Sequence, residues 1–123
     1  MAWTADQLDR IGSAVELEIA VPRSDGTPGS WTPIWVVCAD HEVFVRTWYR
    51  RSTGWFGRIL RTEQARVRVP GVEVAVRAED VGAEPSTLRA AVDYAYRAKY
   101  GGSSADRMVG DEAAATTLRL IAE

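Results

Sequence analysis

The sequence has very little cysteine or histidine, and this scarcity excludes whole classes of site. Among 123 residues there is one cysteine, Cys38, and one histidine, His41. A single cysteine has no partner for an internal disulfide, and one of each is too few for a Cys/His metal cluster. We therefore predict no transition metal. We expect Cys38 to be an inert core thiol and His41 to be a solvated turn residue.

Targeting signals and long apolar runs are also missing. The first residues, MAWTADQL, lack the basic start and the apolar stretch of a signal peptide. No segment approaches the roughly 20 apolar residues of a membrane-spanning helix. With 46% hydrophobic and 26% charged residues, the composition is that of an ordinary globular protein. We expect one cytoplasmic domain over residues 1–123, with no membrane partner.

The common catalytic motifs are absent as well. The sequence has no glycine-rich phosphate loop with a following lysine and no nucleophile elbow, and only His41 is available for a serine triad. Glu16 and Glu18 are spaced for the wet side of a strand. No catalytic residue is therefore identified. If the protein is an enzyme, we expect it to take its chemistry from a cofactor.

Positive charge is slightly outnumbered overall, with 15 basic against 17 acidic residues, but it is concentrated in one segment. The net charge is −2. Between Arg46 and Arg68 seven arginines stand against Glu63 alone, a local charge of +6, and the rest of the chain carries −8. A basic segment in an acidic protein indicates a focused anion site more than a nucleic-acid surface.

Hydrophobic periodicity in the first half of the chain predicts a helix and three strands. Thr4 and Gln7 form a capping-box pattern that begins a short helix. Residues 15–21 alternate as a strand, and the continuous apolar run IWVVC, residues 34–38, is expected to be a central strand. Asp40 and His41 turn the chain into a third strand, EVFVRTW, in which valines and Phe44 occupy opposite faces.

The second half of the chain predicts two helices and three further strands. WFGRILRT is a short helix, Pro70-Gly71 joins the strands of a valine-rich hairpin, and TTLRLIA is the last strand. Between them a longer helix runs from Pro85-Ser86 to Gly101-Gly102, with an exposed charge ladder of Arg89, Asp93 and Arg97. We predict a mainly β (α+β) fold, with a six-stranded antiparallel sheet curled into a barrel because closure removes exposed edges.

The segment RTWYRRSTGWFGRILR, residues 46–61, links the third strand to the short helix and is the candidate site. A helix amino terminus presents unpaired N–H groups and a partial positive charge, which suits phosphate. Arginine adds two parallel donors, and aromatic side chains offer flat surface for a ring system. A phosphate at one end and a ring at the other describe a nucleotide or flavin-like ligand. The residues placed there are Trp48, Tyr49, Arg50, Arg51, Ser52, Thr53 and Trp55.

Structural roles remain open for the same residues. Trp48 and Trp55 are equally well explained as core residues that join the short helix to the barrel, and arginines on a short surface helix are often solvated. Arg46 alternates into a strand, so burial with a carboxylate partner is the alternative to ligand contact. For Tyr94, Tyr96 and Tyr100 on the long helix, packing is the default.

Several stretches of the chain resemble a known bacterial family. WTADQLDRIGSAVELEIA, SDGTPGSWTPIWVV, VFVRTWYRRSTGWFGRIL, DYAYRAKYG and ATTLRLIA together look like the family called domain of unknown function 2255, over nearly the whole chain. The order of elements is also similar to the flavin-binding split barrels, which include pyridoxamine-phosphate oxidases and small deazaflavin-dependent quinone and nitro reductases. The bulky pair Trp48-Tyr49 departs from those reductases, which have small or polar residues there.

The split-barrel resemblance implies a cofactor, FMN or a deazaflavin, and a homodimer. It places the cofactor phosphate near Arg46, Thr47, Arg50, Arg51 and Ser52. The remaining cofactor-binding candidates, Trp48, Trp55 and Arg58, flank that group, and Trp35 and Tyr49 are the substrate-binding candidates.

Two hypotheses of function follow. The first is a flavin- or deazaflavin-dependent oxidoreductase that acts on a small organic molecule. The alternative is a cofactor-free enzyme or binding protein for a small anionic organic ligand, with contacts from Arg46, Trp35 and Trp48. Single-stranded nucleic-acid binding also suits arginines interleaved with aromatics, but the acidic remainder of the chain argues against it.

Overall fold

The structure, a computed structural model, describes residues 3–47, 54–83 and 86–123, without the side chain of Ser104. Five helices and seven strands lie in these ranges. In chain order they are α1 (Ala5–Ser13), β1 (Leu17–Ala20), β2 (Thr32–Ile34), β3 (Val37–Ala39), β4 (Glu42–Val45), α2 (Gly54–Thr62), β5 (Gln64–Val69), β6 (Val72–Asp80), α3 (Ser86–Lys99), α4 (Gly102–Val109), α5 (Asp111–Ala114) and β7 (Leu118–Ala122).

The seven described strands form one sheet in the order β2-β1-β5-β6-β7-β4-β3. Every neighbouring pair in this order is antiparallel. The predicted fold class, a mainly β protein with an antiparallel sheet and added helices, is confirmed. The predicted helix before the hairpin and the longer helix beyond it are α2 and α3.

The sheet curls because its two edge strands are almost continuous in sequence. β2 and β3 stand at opposite ends of the strand order, yet only Trp35 and Val36 separate them along the chain. Three peptide steps span at most about 11 Å. The two edges therefore lie close together, and the sheet is a curled half-barrel.

This crossing corrects one prediction. Residues 34–38 were expected to form one central strand, which gave six strands in total; instead Ile34 ends one edge strand and Val37 begins the other. The apolar run reflects burial on two sides of the sheet. Val36 packs into the interior of the curled sheet, whereas Val37 packs outside it. Hydrophobicity indicated burial correctly, but it carried no information about strand pairing.

Two turns follow the predicted chemistry. Asp40 and His41 connect β3 to β4 with positive φ angles of 52° and 64°, as a two-residue type I′ turn requires. Pro70 and Gly71 connect β5 to β6, and Gly71 has a φ of 85°, a conformation that side chains with a Cβ rarely adopt. Both predicted turns are therefore confirmed.

Apolar side chains gather in two clusters. The barrel core lies inside the curled sheet and is covered by α1 and α2 through Ile11, Phe56 and Ile59. The outer core packs α3 and α4 against the outer face of the sheet near β3 and β4, and consists of Val37, Phe44, Val81, Val92, Tyr96, Met108 and Val109. Burial on both sides of β4 explains why its alternation contains no exposed position.

The helices show what local sequence signals find and what they miss. The capping box of Thr4 and Gln7 at α1 is present. No helix was predicted between Gly102 and Ala114, where α4 and α5 lie. Their buried residues are mostly small, such as Ala105 and Ala113, so packing stabilises these helices without a strong apolar stripe. Within the described ranges no helix has the length and apolar character to cross a bilayer.

The carboxyl end of α3 clamps the crossing between the two sheet edges. The Tyr100 hydroxyl accepts a hydrogen bond from the Val36 N–H at 3.1 Å and lies 2.6 Å from the Val15 carbonyl oxygen. The Lys99 Nζ donates to the Val36 carbonyl oxygen at 2.7 Å. The Trp35 and Tyr100 rings stack with centroids 3.9 Å apart. Side chains at the end of α3 thus stabilise the closure of the barrel.

We expect Tyr100→Phe to lower the free energy of unfolding by about 1–2 kcal/mol, because the buried Val36 N–H loses its acceptor. Tyr94→Phe is the matched control on the same helix, since Tyr94 is 74% exposed; its effect should stay within about 0.5 kcal/mol. Urea unfolding at neutral pH measures both. Equal stabilities of the two variants would contradict the clamp.

Alkaline pH should also destabilise the fold. Burial raises the pKa of Tyr100 to about 12 and raises the pKa of Tyr96 further, because the buried phenolate is disfavoured. Since both folded pKa values exceed the unfolded value near 10, this contribution is complete below pH 10 and is lost as the pH rises through 10 to 12. Burial lowers the pKa of Lys99 and gives a smaller opposite trend just below pH 10.5. Urea midpoints across this range should fall, and Tyr100→Phe should fall less steeply.

Candidate functional site

Half of the predicted cofactor-binding residues lie within the described ranges. These are Arg46, Thr47, Trp55 and Arg58, and the substrate-binding candidate Trp35 is described too. The others lie outside the described residues: Trp48, Tyr49, Arg50, Arg51 and Ser52.

Arg46 is a buried, paired arginine just beyond the end of β4. It is 1% exposed. Its Nη1 donates to Asp93 Oδ1 at 2.6 Å and to the Met108 carbonyl oxygen at 2.7 Å, and its Nε donates to Thr117 Oγ1 at 2.8 Å. Burial with a carboxylate partner, the alternative given by the sequence, is thus what the structure shows. A direct contact between Arg46 and a ligand stays a prediction.

The Arg46 pair continues outward as a chain of alternating charges. Asp93 also faces Arg89, whose Nε lies 3.5 Å from Asp93 Oδ2, and Arg89 Nη2 lies 2.9 Å from Asp111 Oδ1. Side-chain exposure rises along this row of ion pairs, from 0% at Arg46 to 24% at Asp93, 40% at Arg89 and 94% at Asp111. The buried charge is therefore compensated through α3, and the outermost carboxylate is almost fully solvated.

The backbone at Thr47 is also fixed by side chains. The Thr47 N–H donates to Thr116 Oγ1 at 3.0 Å. The Thr116 hydroxyl has the carbonyl oxygens of Thr47 and Ala113 as acceptors, at 2.9 and 2.6 Å. The turn between α5 and β7 therefore holds the point from which the undescribed segment 48–53 departs.

The second part of the predicted site lies on α2. Trp55 is half-buried against the barrel core, with its ring edge-on to Phe56 at 5.5 Å. Arg58 has a buried Nε with no acceptor among the described residues. Arg61, near the end of the helix, is exposed. Helical side chains generally lean toward the amino terminus of their helix, so we expect Arg58 to extend toward the start of α2. The first turn of this helix carries no acid.

The structure does not join all of these residues. No hydrogen bond, ion pair or ring contact within the described part of the chain links Arg46 to Trp55 or Arg58. Trp35 stacks on Tyr100 at the barrel closure. Trp35 is thus assigned a structural contact, and its substrate role stays a prediction.

The sequence missed the partners of Arg46. Asp93 was predicted to form an exposed ladder with Arg89 and Arg97. Its contact with Arg89 is present at 3.5 Å, but Asp93 also turns inward to Arg46, and Arg97 pairs with Asp106 at 3.1 Å. The available signal was Arg46 itself. A charged residue that directly follows an apolar strand and is buried needs a counter-charge, and the long helix carries a candidate carboxylate.

The single cysteine does not form a reactive site. Cys38 is half-buried, its Sγ lies 3.8 Å from the Leu8 carbonyl oxygen, and burial raises the pKa of its thiol. It is therefore protonated at neutral pH and is a poor nucleophile. In the described ranges, no three His, Cys, Asp or Glu side chains converge as metal ligands would.

We expect Asp93→Ala to lower the free energy of unfolding by about 3 kcal/mol or more, because it leaves the Arg46 guanidinium buried without a counter-charge. Asp106→Ala is the control: its pair with Arg97 is 59% and 64% exposed, so its loss should cost less than about 1 kcal/mol. Chemical denaturation of both variants decides the point. Similar losses in the free energy of unfolding for the two variants would show that the buried Arg46–Asp93 pair stabilises the fold no more than an exposed ion pair does.

Solved structures share this fold at low sequence identity. A conserved hypothetical protein from Mycobacterium tuberculosis superposes with a TM-score of 0.65 at 18% identity, covering 100% of this chain and 82% of that chain. HutZ, the heme storage protein from Vibrio cholerae, superposes with a TM-score of 0.69 at 12% identity, covering 100% of this chain and 92% of that chain. A FAD-binding protein from Mesorhizobium loti superposes with a TM-score of 0.63 at 14% identity, covering 98% of this chain and 91% of that chain. The likeness shows a common fold.

The sequence itself matches one family. No curated protein matches this chain in sequence. The family described as uncharacterized proteins conserved in bacteria, DUF2255, matches residues 7–120. That range begins inside α1 and ends inside β7, and it therefore includes the closure of the barrel, the Arg46 pair and the whole of α2. The chain belongs to the DUF2255 family.

Proposed function

We propose that the protein is an oxidoreductase that binds a flavin or deazaflavin, with the cofactor phosphate at the amino end of α2, and that it acts on a small organic molecule. One observation carries the proposal. The Nε of Arg58 is a buried donor without an acceptor in the described ranges. A buried donor is seldom left without a partner, because the lost hydrogen bond to water is costly. A ligand oxygen would supply the missing acceptor.

The local electrostatics of α2 favour an anion at this place. The first N–H groups of a helix have no partner within the helix and carry partial positive charge. α2 is nine residues long and has no acid in its first turn to neutralise that charge. Arg58 adds a full positive charge directed to the same end. Arg50, Arg51 and Ser52 precede α2 directly in sequence and are proposed to add further donors.

Arg46 and Thr47 take a different part in this proposal. The charge of Arg46 is already matched by Asp93, and its side chain is fully buried. We therefore assign Arg46 and Thr47 to holding the end of β4, so that the segment leading to α2 starts from a fixed point. Trp48 and Trp55 are proposed to flank the ring system of the cofactor.

Proteins of the same fold support the choice of ligand class. Two of the similar structures are a FAD-binding protein and a heme storage protein, so the fold accommodates planar ring cofactors in other chains. A bound flavin or deazaflavin supplies hydride transfer, which this chain's described side chains do not offer. We further propose a homodimer, which native mass spectrometry tests together with any retained small molecule.

The test compares two arginines on one helix. The absorbance spectrum of the purified protein is recorded, and FMN and a deazaflavin are titrated against wild type, Arg58→Gln and Arg61→Gln. We expect Arg58→Gln to raise Kd by about tenfold or more, the worth of one charge-assisted hydrogen bond. Arg61→Gln should change Kd little, because Arg61 is exposed. No binding of either cofactor at tens of micromolar, or equal Kd values for the two variants, would overturn the proposal.

A cofactor-free protein for a small anionic ligand is the second candidate. It is favoured by the pairing of Arg46 with Asp93. Among the described residues of the segment, this leaves Arg58 and Arg61 as the cations for which the structure shows no ion pair. Its signature would be a colourless protein that binds neither cofactor but is stabilised thermally by small organic anions, with the effect lost in Arg58→Gln.

A further inference from the structure

Arg46 and Tyr96 meet beside the outer core, and each has one buried polar atom without a hydrogen-bond partner. Tyr96 is fully buried in that core. The guanidinium carbon of Arg46 lies 5.5 Å from the centre of the Tyr96 ring. Arg46 Nη2 and the Tyr96 hydroxyl are both buried, and neither has a partner among the described residues. The two atoms therefore belong to one contact between the end of β4 and α3.

The hydrogen bonds of Arg46 leave one of its nitrogens unused. In a guanidinium group Nε carries one N–H and each Nη carries two. The Nε of Arg46 donates to Thr117 Oγ1, and its Nη1 donates to Asp93 Oδ1 and to the Met108 carbonyl oxygen. Both N–H bonds of Nη2 lack an acceptor in the described ranges. A buried donor of this kind is costly unless a further group accepts from it.

Tyr96 does not supply that acceptor directly. A phenol oxygen accepts hydrogen bonds, yet neither atom is bonded to the other. Burial raises the pKa of Tyr96, and the nearby positive charge of Arg46 opposes this shift only in part. The hydroxyl is therefore protonated at neutral pH, with a hydrogen to donate and an oxygen that accepts. One further oxygen atom placed between the two groups would bond to both.

The charge balance at Arg46 favours a neutral occupant. Arg46 already pairs with Asp93 at 2.6 Å, and its side chain has no exposed surface. A second anion at this place would be buried without a counter-charge of its own, which is costly. A water molecule has no net charge, and it can accept from Nη2 while it bonds to the Tyr96 hydroxyl. The chemistry of the two unpartnered atoms therefore fits water.

We propose that an internal water molecule bridges Arg46 Nη2 and the Tyr96 hydroxyl. The water completes the hydrogen bonds of the buried guanidinium group and connects α3 to the end of β4 beside the Asp93 pair. Internal waters commonly bond to buried polar groups that the protein leaves unpaired. The proposal is independent of the cofactor site on α2, because it involves no residue of that helix.

The direct test is a crystal structure of the wild-type protein, solved with and without a bromide soak. We expect an electron-density peak for one oxygen within roughly 3.2 Å of both Arg46 Nη2 and the Tyr96 hydroxyl. Bromide scatters anomalously, so an anomalous peak at this position would identify an anion site and overturn the proposal of water. The absence of any peak, or a protein group bonded to Nη2, would overturn the bridge itself.

Tyr96→Phe tests the bridge by the sign of its effect. A hydroxyl bonded to the water contributes a hydrogen bond, so we expect its removal to raise the equilibrium constant for unfolding by about fivefold or more. Removal of a buried hydroxyl without a partner would leave that constant equal or lower it.

Tyr94→Phe is the matched control for this variant. Tyr94 lies on the same helix with an exposed side chain, so the loss of its hydroxyl should change the unfolding constant little. Urea unfolding measures both variants against wild type. A Tyr96→Phe variant that is at least as stable as the wild-type protein would contradict the proposed water bridge.

Discussion

The pairing of Arg46 with Asp93 is the constraint on which the rest of the structure depends. A guanidinium group with no exposed side-chain surface requires a counter-charge and fixed acceptors. These come from α3, from the end of α4 and from the threonine turn before β7. Elements distant in sequence are thereby held around one end of β4. The segment richest in arginine and aromatic residues departs from that end, so its starting point is rigid.

A second constraint closes the sheet. Two residues, Trp35 and Val36, connect its opposite edges, and the end of α3 covers them through Lys99 and Tyr100. The same helix therefore closes the barrel at one end and neutralises Arg46 in its middle.

Local patterns in the sequence predicted the features that depend on local physics. The capping box at Thr4, the turn at Pro70-Gly71 and the two faces of β4 follow from spacing and backbone preference. The break at Trp35 and the inward turn of Asp93 were missed, because they depend on which strands pair and on where α3 docks. The burial of Arg46 was one of two alternatives predicted from the sequence, since an arginine that alternates into an apolar strand needs a carboxylate partner when it is buried. Local spacing rules could not identify its partner, Asp93, because the two residues are 47 positions apart in the sequence.

The central claim is that Arg58 receives the ligand anion while Arg46 remains a structural cation. The direct measurement is an NMR titration with FMN that follows the Nε–H resonances of the arginine side chains. The account predicts that the Arg58 resonance shifts on binding, because its Nε gains an acceptor, and that the Arg46 resonance, already bonded to Thr117, stays in place. A shift at Arg46 with none at Arg58 would contradict it.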